Sequence, residues 1–407
     1  MTFKVKTKGQ NEGENLAVPK LRFKEFKNEW NEINFKKLLS FKNGINSDKD
    51  SYGHGIKYIS VVDILNNIYI TYDKIKGFVD INDKTLKENS VEYGDIVFQR
   101  SSETFNDIGQ ANVYLDKEKI ATFGGFVIRG KKIGNYNPLF FNYLLKSPCN
   151  RKKIIVKGAG AQHYNISQEE LEKISVNFTN MDEQEKIGDF LTVLDKKLDL
   201  QQRKIEALKI YKKGLIQKIF NSEYNNCMKI EELVLQKSTR NSKNEIKDVY
   251  SVSNKDGFIL QSEHFKDRMV ASEDTTNYKI IEKDDFAYNP ARINVGSIAR
   301  MKKNTNGIIS PMYICFRCNK KILPEYLEYF FESPKFIYEM NKRLEGSVRM
   351  CLSYESMINI PIELPDKKEQ EKISNILNIL DKKVYQEEKR YTRLNEIKKG
   401  LLQKMFV

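Results

Sequence analysis

One stretch of the chain occurs twice, and any fold must accommodate both copies. Glu183-Gln184-Glu185-Lys186-Ile187 returns as Glu369-Gln370-Glu371-Lys372-Ile373, and Leu194-Asp195-Lys196-Lys197 returns as Leu380-Asp381-Lys382-Lys383. Lys212-Lys213-Gly214-Leu215 returns as Lys398-Lys399-Gly400-Leu401, followed in each copy by Gln-Lys and then Phe220 or Phe406. The offset is constant at 186 residues, and 18 of 39 aligned positions are identical. Self-similarity of this kind points to a duplicated structural unit rather than to a single elongated core.

Both copies carry a heptad seam. Ile187, Leu191, Leu194, Leu198, Ile205, Leu208, Leu215 and Ile219 follow steps of three and four, with polar Gln201 and Lys212 at two seam positions. The second copy reads Ile373, Leu377, Leu380, Val384, Tyr391, Leu394, Leu401 and Met405, with Glu387 and Lys398 at the matching two. A 3.5-residue period keeps a narrow apolar stripe turned toward a partner helix. Asn180 with Glu183, and Asp366 with Glu369, supply N-terminal cap signals. At about 1.5 Å per residue each helix is expected to run to nearly 60 Å. A stripe of that length needs a mate, and the other copy is the nearest one. The reading is therefore an antiparallel coiled coil within one chain, in which Lys212 could meet Glu387. Gly214 and Gly400 need either a close helix approach or a local break, because glycine in a helix costs roughly 1 kcal/mol against alanine.

The remainder reads as α+β, with two mixed α/β domains in pseudo-two-fold repeat, each followed by a long helix. Residues 1–20 form a polar lead without periodicity, expected to be flexible. Residues 21–180 form a first globular domain, 181–221 the first helix, 222–365 a second domain and 366–407 the second helix. In the first domain, turn signals at Asn43-Gly44 and Gly53-His54-Gly55 flank runs expected as strands, Tyr58–Val62 and Ile68–Tyr72. Ile96–Phe98 and Phe126–Ile128 also read as strands, and Pro138–Leu145 as a short helix ended by Ser147-Pro148. The second domain repeats this order in outline. Ile230–Leu235 answers Phe35–Leu39, Lys283–Tyr288 answers Tyr93–Phe98, and Pro324–Phe331 with Ser333-Pro334 answers Pro138–Leu145 with Ser147-Pro148. Gly346-Ser347-Val348-Arg349 stands where Gly160-Ala161-Gln162-His163 stood.

A net charge of +14 and a pI near 9.2 favour a polyanionic partner. Five scattered cysteines fit a reducing cytoplasm better than a disulfide framework. No apolar run approaches the ~20 residues of a membrane span, so the expected location is cytoplasmic, with no membrane partner.

Motifs for chemistry fail on inspection. Gly125-x4-Gly130-Lys131-Lys132 lacks the hydroxyl after the lysine and reads as a strand where a phosphate loop should be. Cys315-Phe-Arg-Cys318 has no second pair, and on a strand its thiols point to opposite faces. Tyr288-Asn289-Pro290 lacks a glycine-rich cofactor turn before it, and Pro365-Asp366 lacks the acid-x-Lys of a nuclease core. The three histidines, His54, His163 and His264, are dispersed. No catalytic and no metal residue is assigned, and binding chemistry remains. Strand-flanking loops with Arg, Ser, Asn, Gln and aromatic side chains can read base edges, while lysines and amides hold phosphates. The candidates are Gln99, Arg100, Ser101, Ser102, Gln162, His163, Tyr164 and Asn165 in the first domain. In the second they are Asn289, Arg292, Asn294, Ser347 and Arg349.

At this point the chain resembles the specificity subunits of type I restriction–modification systems. The resemblance rests on Pro19-Lys20-Leu21-Arg22-Phe23 with Trp30, on the two Glu-Gln-x-Lys-Ile … Leu-Asp-Lys-Lys … Lys-Lys-Gly-Leu-x-Gln-Lys helices, and on the loops Gly158–Asn165 and Gly346–Leu352 before them. It spans nearly the whole chain. It implies two target-recognition domains, each reading half of a split, asymmetric site in double-stranded DNA, and a helix pair that sets the gap between half-sites. It implies docking of methyltransferase subunits, usually two, and of motor-nuclease subunits. S-adenosylmethionine, ATP and Mg would be used by those partners, with no cofactor in this subunit and no catalysis by it. Spacing and docking would fall to Ile187, Leu191, Leu194, Leu198, Leu208, Leu215, Ile373, Leu377, Leu380, Val384, Leu394 and Leu401. Both repeats are present, which fits a full-length subunit. The alternatives are a coiled-coil assembly protein without DNA specificity, and an enzyme acting on nucleic acid through an unfamiliar site.

Overall fold

The computed structural model describes residues 3–5, 17–160, 163–222, 224, 226–264, 274–346 and 350–407. It divides into two compact units, one of residues 1–202 with 389–407 and one of residues 203–388. Both long helices therefore begin in one unit and end in the other.

The first unit is built on a four-stranded antiparallel sheet in the order Leu39–Asn43, Val127–Lys132, Ile96–Gln99, Ala111–Val113. Beside it Tyr52–Ile59 pairs antiparallel with Gly77–Val79 and parallel with Thr122–Phe123. Helices Pro138–Lys146 and Pro148–Ile155 follow. Each opens with proline, which needs no N–H there, and the Asn137 carboxamide accepts from the Phe140 amide at 3.0 Å. Ser147 is held extended by the proline after it, so one helix ends and the next begins at that residue. Phe35, Phe98, Phe140 and Phe141 fill the core beneath. Phe3–Val5, inside the lead expected to be flexible, pairs antiparallel with Leu21–Phe23.

Two strand expectations fail locally. The run Tyr58–Val62 breaks at Ser60, whose backbone N–H donates to the Asp63 carboxylate at 2.9 Å, so a helix starts at Val61. In the run Ile68–Tyr72, only Ile70 pairs, in a single parallel bridge to Tyr114. β-branched composition alone did not distinguish a strand from a segment laid on a sheet edge.

The second unit repeats the first sheet as Val234–Gln236, Ile314–Cys318, Asp285–Tyr288, Ile298–Arg300. Its second sheet has the order Gly257–Leu260, Val249–Ser253, Gly307–Ile309, Lys279–Ile281. Helices Pro324–Phe331 and Pro334–Asn341 answer the proline-started pair. Cys315 packs inside one cluster while Cys318 lies against another, as alternation along the strand requires. Burial pushes both thiols up to about 12, away from thiolate chemistry. Val127–Lys132 is a strand, not a phosphate loop.

The long helices are Met181–Phe220 and Lys367–Lys404. The Asn180 carboxamide caps the first through the Glu183 amide at 3.0 Å, and Asp366 caps the second through the Glu369 amide at 2.9 Å. Glu183 does not close a capping box; its carboxylate takes both Arg22 bonds at 2.7 Å in a buried fork. The pairing is antiparallel. In the first unit Lys398 bonds Asp195 at 2.5 Å, and in the second Lys212 bonds Asp381 at 2.7 Å, the same contact shifted by one repeat. Each aspartate also accepts a phenol O–H, from Tyr143 at 2.7 Å and from Tyr329 at 2.8 Å. Glu387 meets Lys204 at 2.8 Å rather than Lys212, because the register already commits Lys212 to Asp381 and Glu332. The symmetry breaks where Glu332 faces Lys212, since the matching residue in the first unit is Lys146. Burial, with Lys398 close by, pushes that ammonium down to about 7.

None of the seam residues of either helix is exposed, and Ile187, Leu191, Leu198, Ile373 and Leu377 are buried. The helix ends close the cores. Phe406 packs on Phe140 and Trp30 at centroid distances of 5.7 and 6.2 Å, and Phe220 packs on Tyr326 and Phe330 at 5.1 and 5.6 Å. Gly214 and Gly400 lie inside unbroken helix, and a Cβ added at either would meet nothing within 4 Å. Neither close approach nor a break accounts for them.

Two outcomes follow from this packing. Phe406→Ala is expected to cost about 3–5 kcal/mol in denaturant unfolding, as deletion of a buried ring does. Gly214→Ala and Gly400→Ala are each expected to stabilise by about 1 kcal/mol, read as a rise in thermal midpoint.

Candidate nucleic-acid interface

In the first unit the two candidate segments are brought together by backbone pairing. Ser101-Ser102 continues beyond the strand Ile96–Gln99 and pairs antiparallel with Tyr164-Asn165, which returns from the glycine-rich loop. The loop is closed by reciprocal bonds between Ala159 and Asn165 at 2.9 and 2.8 Å, and the Ile166 amide donates to the Arg100 carbonyl at 3.0 Å. Gly160 makes the turn possible. It holds φ +138, and a Cβ there would stand 2.0 Å from the His163 carbonyl oxygen.

The side chains divide by role. Gln99 is buried and donates to the Ser101 carbonyl at 2.8 Å, so it braces the backbone rather than facing solvent. Ser101 bonds the Asn165 carboxamide at 2.5 Å. Arg100 reaches the Gly125 carbonyl at 3.3 Å. It also lines a cleft of about 330 Å3 with Asn43, Lys157 and Asn165. Tyr164 stacks edge-on against Phe105 at 5.3 Å, and His163 is exposed. Gln162 lies outside the described residues.

The second unit builds the same pair of loops. The Glu345–Cys351 bridge matches Ala159–Asn165 one repeat later, and the Leu352 amide donates to the Pro290 carbonyl at 3.1 Å, as Ile166 does to Arg100. Asn289 is nearly buried and closes the loop that ends at Ser297, through its amide at 3.0 Å and through its carboxamide, which accepts from the Ala291 amide at 3.1 Å. Gly296, at φ +89, turns the chain back. Arg292 and Asn294 project from this loop into solvent around buried Ile293. Ser347 and Arg349 lie outside the described residues.

The scaffold is thus duplicated while its side chains differ: Arg100 is matched by Pro290 and Asn165 by Cys351. The model of the family described as type I restriction modification DNA specificity domain matches residues 27–209 and 226–399. The chain belongs to that family.

Among relatives of this specificity family, the chain is 23% identical to the MjaX specificity subunit assigned to a type I restriction enzyme of Methanocaldococcus jannaschii, with 93% of each covered. Its fold is similar to a crystal structure of the S subunit of a type I restriction–modification system from M. genitalium, with a TM-score of 0.60 at 18% identity, covering 96% of this chain and 99% of that one. A further similar chain, from structural work on assembly and conformational transition of the type I system, has a TM-score of 0.55 at 11% identity, over 92% and 96% of the two chains.

Three exposed apolar residues near these loops escape sequence reading. Phe126 follows the Gly124-Gly125 turn, is 68% exposed, and its carbonyl accepts from the Arg100 amide. Phe105 and Val295 stand out from the corresponding loops of the two units. Phe105 and Val295 sit in short 3-10 turns and Phe126 in the turn before the strand Val127–Lys132, and it is those turns that carry them outside. Among the described residues no group of three or more His, Cys, Asp or Glu could hold a metal ion. No helix among them is long and apolar enough to cross a membrane.

Gly160→Ala is expected to open the paired loops without unfolding the unit, because the strain of about 1–3 kcal/mol is local. Hydrogen exchange at the Ala159 and Asn165 amides should accelerate while the amides of Ile96–Gln99 stay protected.

Proposed function

We propose that this chain is the DNA-reading subunit of a type I restriction–modification complex, with each unit contacting one half of a split, asymmetric site. One observation carries the reading: the same hydrogen-bonded loop pair is built twice, with different side chains at matched positions. A shared backbone frame with different donors and acceptors recognises two different base sequences. In the first unit Arg100, Ser101, Ser102, His163, Tyr164, Asn165 and Gln162 are assigned to contact, with Gln99 bracing them. In the second the assignment is Arg292, Asn294, Ser347 and Arg349, with Asn289 as the brace. Phe126, Phe105 and Val295 are suited to packing against bases or sugars where the duplex is distorted.

In this reading the antiparallel helices set the gap between half-sites, because a coiled coil resists length change. Methyltransferase subunits dock on the helices and motor-nuclease subunits complete the complex. Val193 and Ile379 are matched positions one repeat apart, 65% and 63% exposed, and Tyr211 and Ile397 are matched and exposed likewise. Apolar residues exposed in equivalent pairs suit two copies of one partner. Methyl transfer from S-adenosylmethionine and ATP- and Mg-dependent cleavage would belong to those partners.

The test is a genome-wide map of N6-methyladenine with and without this gene. One split motif with a fixed central gap should lose methylation in the deletion. Arg100→Ala should weaken binding of that site about 10-fold or more, and affinity for any duplex should fall steeply between low and moderate salt. A methylome unchanged while the partner subunits are expressed would overturn the reading.

A further inference from the structure

The two units differ in one place where the scaffold predicts sameness. In the first unit, the edge of the strand Ala111–Val113 is covered by the chain itself. The Ile70 amide donates to the Val113 carbonyl at 2.9 Å, and the Leu115 amide donates to the Ile70 carbonyl at 2.8 Å. The helix Pro138–Lys146 holds the same segment from the other side. Asn142 and Lys146 both donate to the Ile68 carbonyl, at 2.9 and 2.8 Å. Ile70 is fully buried there.

In the second unit the matching edge is Arg300–Lys302. Ala299 and Met301 turn toward the strand Asp285–Tyr288, so the Arg300 carbonyl and the Lys302 amide face outward. Among the described residues neither has a hydrogen-bond partner. The chain makes a hairpin at Asn254–Gly257 where the first unit continues into the helix Val61–Asn66. What remains is a cleft of about 900 Å3, with Phe331, Phe336, Ile337 and Met340 on its apolar wall.

The donors that held Ile68 are also replaced. Asn142 is matched by Glu328 and Lys146 by Glu332. Arg300 is shared among Asp284, Glu325 and Glu328, Lys302 bonds Glu328, and Lys212 is shared between Glu332 and Asp381. These carboxylates and cations are paired with one another, and Lys255 and Lys303 also line the cleft, so its charge is close to balanced and the outward main-chain edge is what selects its occupant.

We propose that this cleft takes an extended segment of a partner polypeptide, added parallel to the Arg300–Lys302 edge. Its central residue is aliphatic and lies where Ile70 lies in the first unit, and a Lys or Arg two residues earlier faces Glu328 and Glu332. Main-chain bonds supply the affinity and the two side-chain positions the selectivity. The proposal does not depend on DNA reading, and nothing in its test uses DNA.

The probe is a fluorescein-labelled peptide copying residues 65–74 of this chain with Ile68→Lys, titrated into the full chain by anisotropy. Saturable binding is expected. Lys302→Pro removes the outward amide, which an edge position tolerates, together with the ammonium on Glu328, and should weaken binding about 5- to 10-fold relative to Lys302→Ala, which removes the ammonium alone. Ile337→Asp should weaken it at least as much, and the peptide that keeps Ile68 should bind more weakly than the Lys version. Absence of saturable binding, or binding indifferent to Lys302→Pro, would overturn the proposal. So would a Lys302 amide already protected from hydrogen exchange in the chain alone, since its own residues would then cover the edge.

Discussion

The structure depends on two aromatic rings, each at the end of a long helix. Phe220 completes the core of the unit its helix enters, and Phe406 does the same for the other. Neither core is closed by its own repeat alone. Folding of each unit is therefore tied to the full course of both helices, and a break in either helix would open a hydrophobic core as well as a coiled-coil seam.

The polar contacts along the seam explain how one register is chosen. Apolar heptads alone tolerate slippage by whole repeats, since leucine packs on leucine in several alignments. The Asp195–Lys398 and Asp381–Lys212 pairs, each with a tyrosine hydroxyl on the aspartate, leave an unpaired charge in any shifted register. An unpaired, partly buried carboxylate is costly. Arg22 locks the start of the first helix to its own unit through buried Glu183, whereas the matching Glu369 of the second helix pairs with Lys372 on its own helix at 3.3 Å.

Equivalent scaffolds carry unlike surfaces. The loops that pair through the Arg100 and Pro290 carbonyls share that bond and the reciprocal bridge, Ala159–Asn165 in one and Glu345–Cys351 in the other, yet present different side chains. Selection for packing holds the first fixed, because a missing backbone bond in a buried turn costs the same in either unit. The solvent-facing side chains carry no such constraint and are free to diverge with what they touch. The edge at Arg300–Lys302, uncovered among the described residues, is a larger divergence of the same kind.

The sequence by itself determined the duplication, the two capped helices, their antiparallel seam, the first proline-started helix of each domain and the positional match between the loops. Each rests on local chemistry: heptad spacing, a cap residue, a proline ring, a glycine at positive φ. The second helices, Pro148–Ile155 and Pro334–Asn341, came only with the structure. Tertiary structure alone decided which residues of those loops face outward. Gln99 and Asn289 read as contact residues yet are buried braces, and Phe126 reads as the start of a strand yet lies exposed in the turn before Val127–Lys132, because facing depends on how each segment meets its neighbours. The pairing of Lys212 with Asp381 rather than Glu387 was likewise decided by packing, since heptads fix a face but not an axial offset. The run Ile68–Tyr72 shows the same limit: its composition is that of a strand, and the sheet edge it meets lies more than forty residues away in the chain.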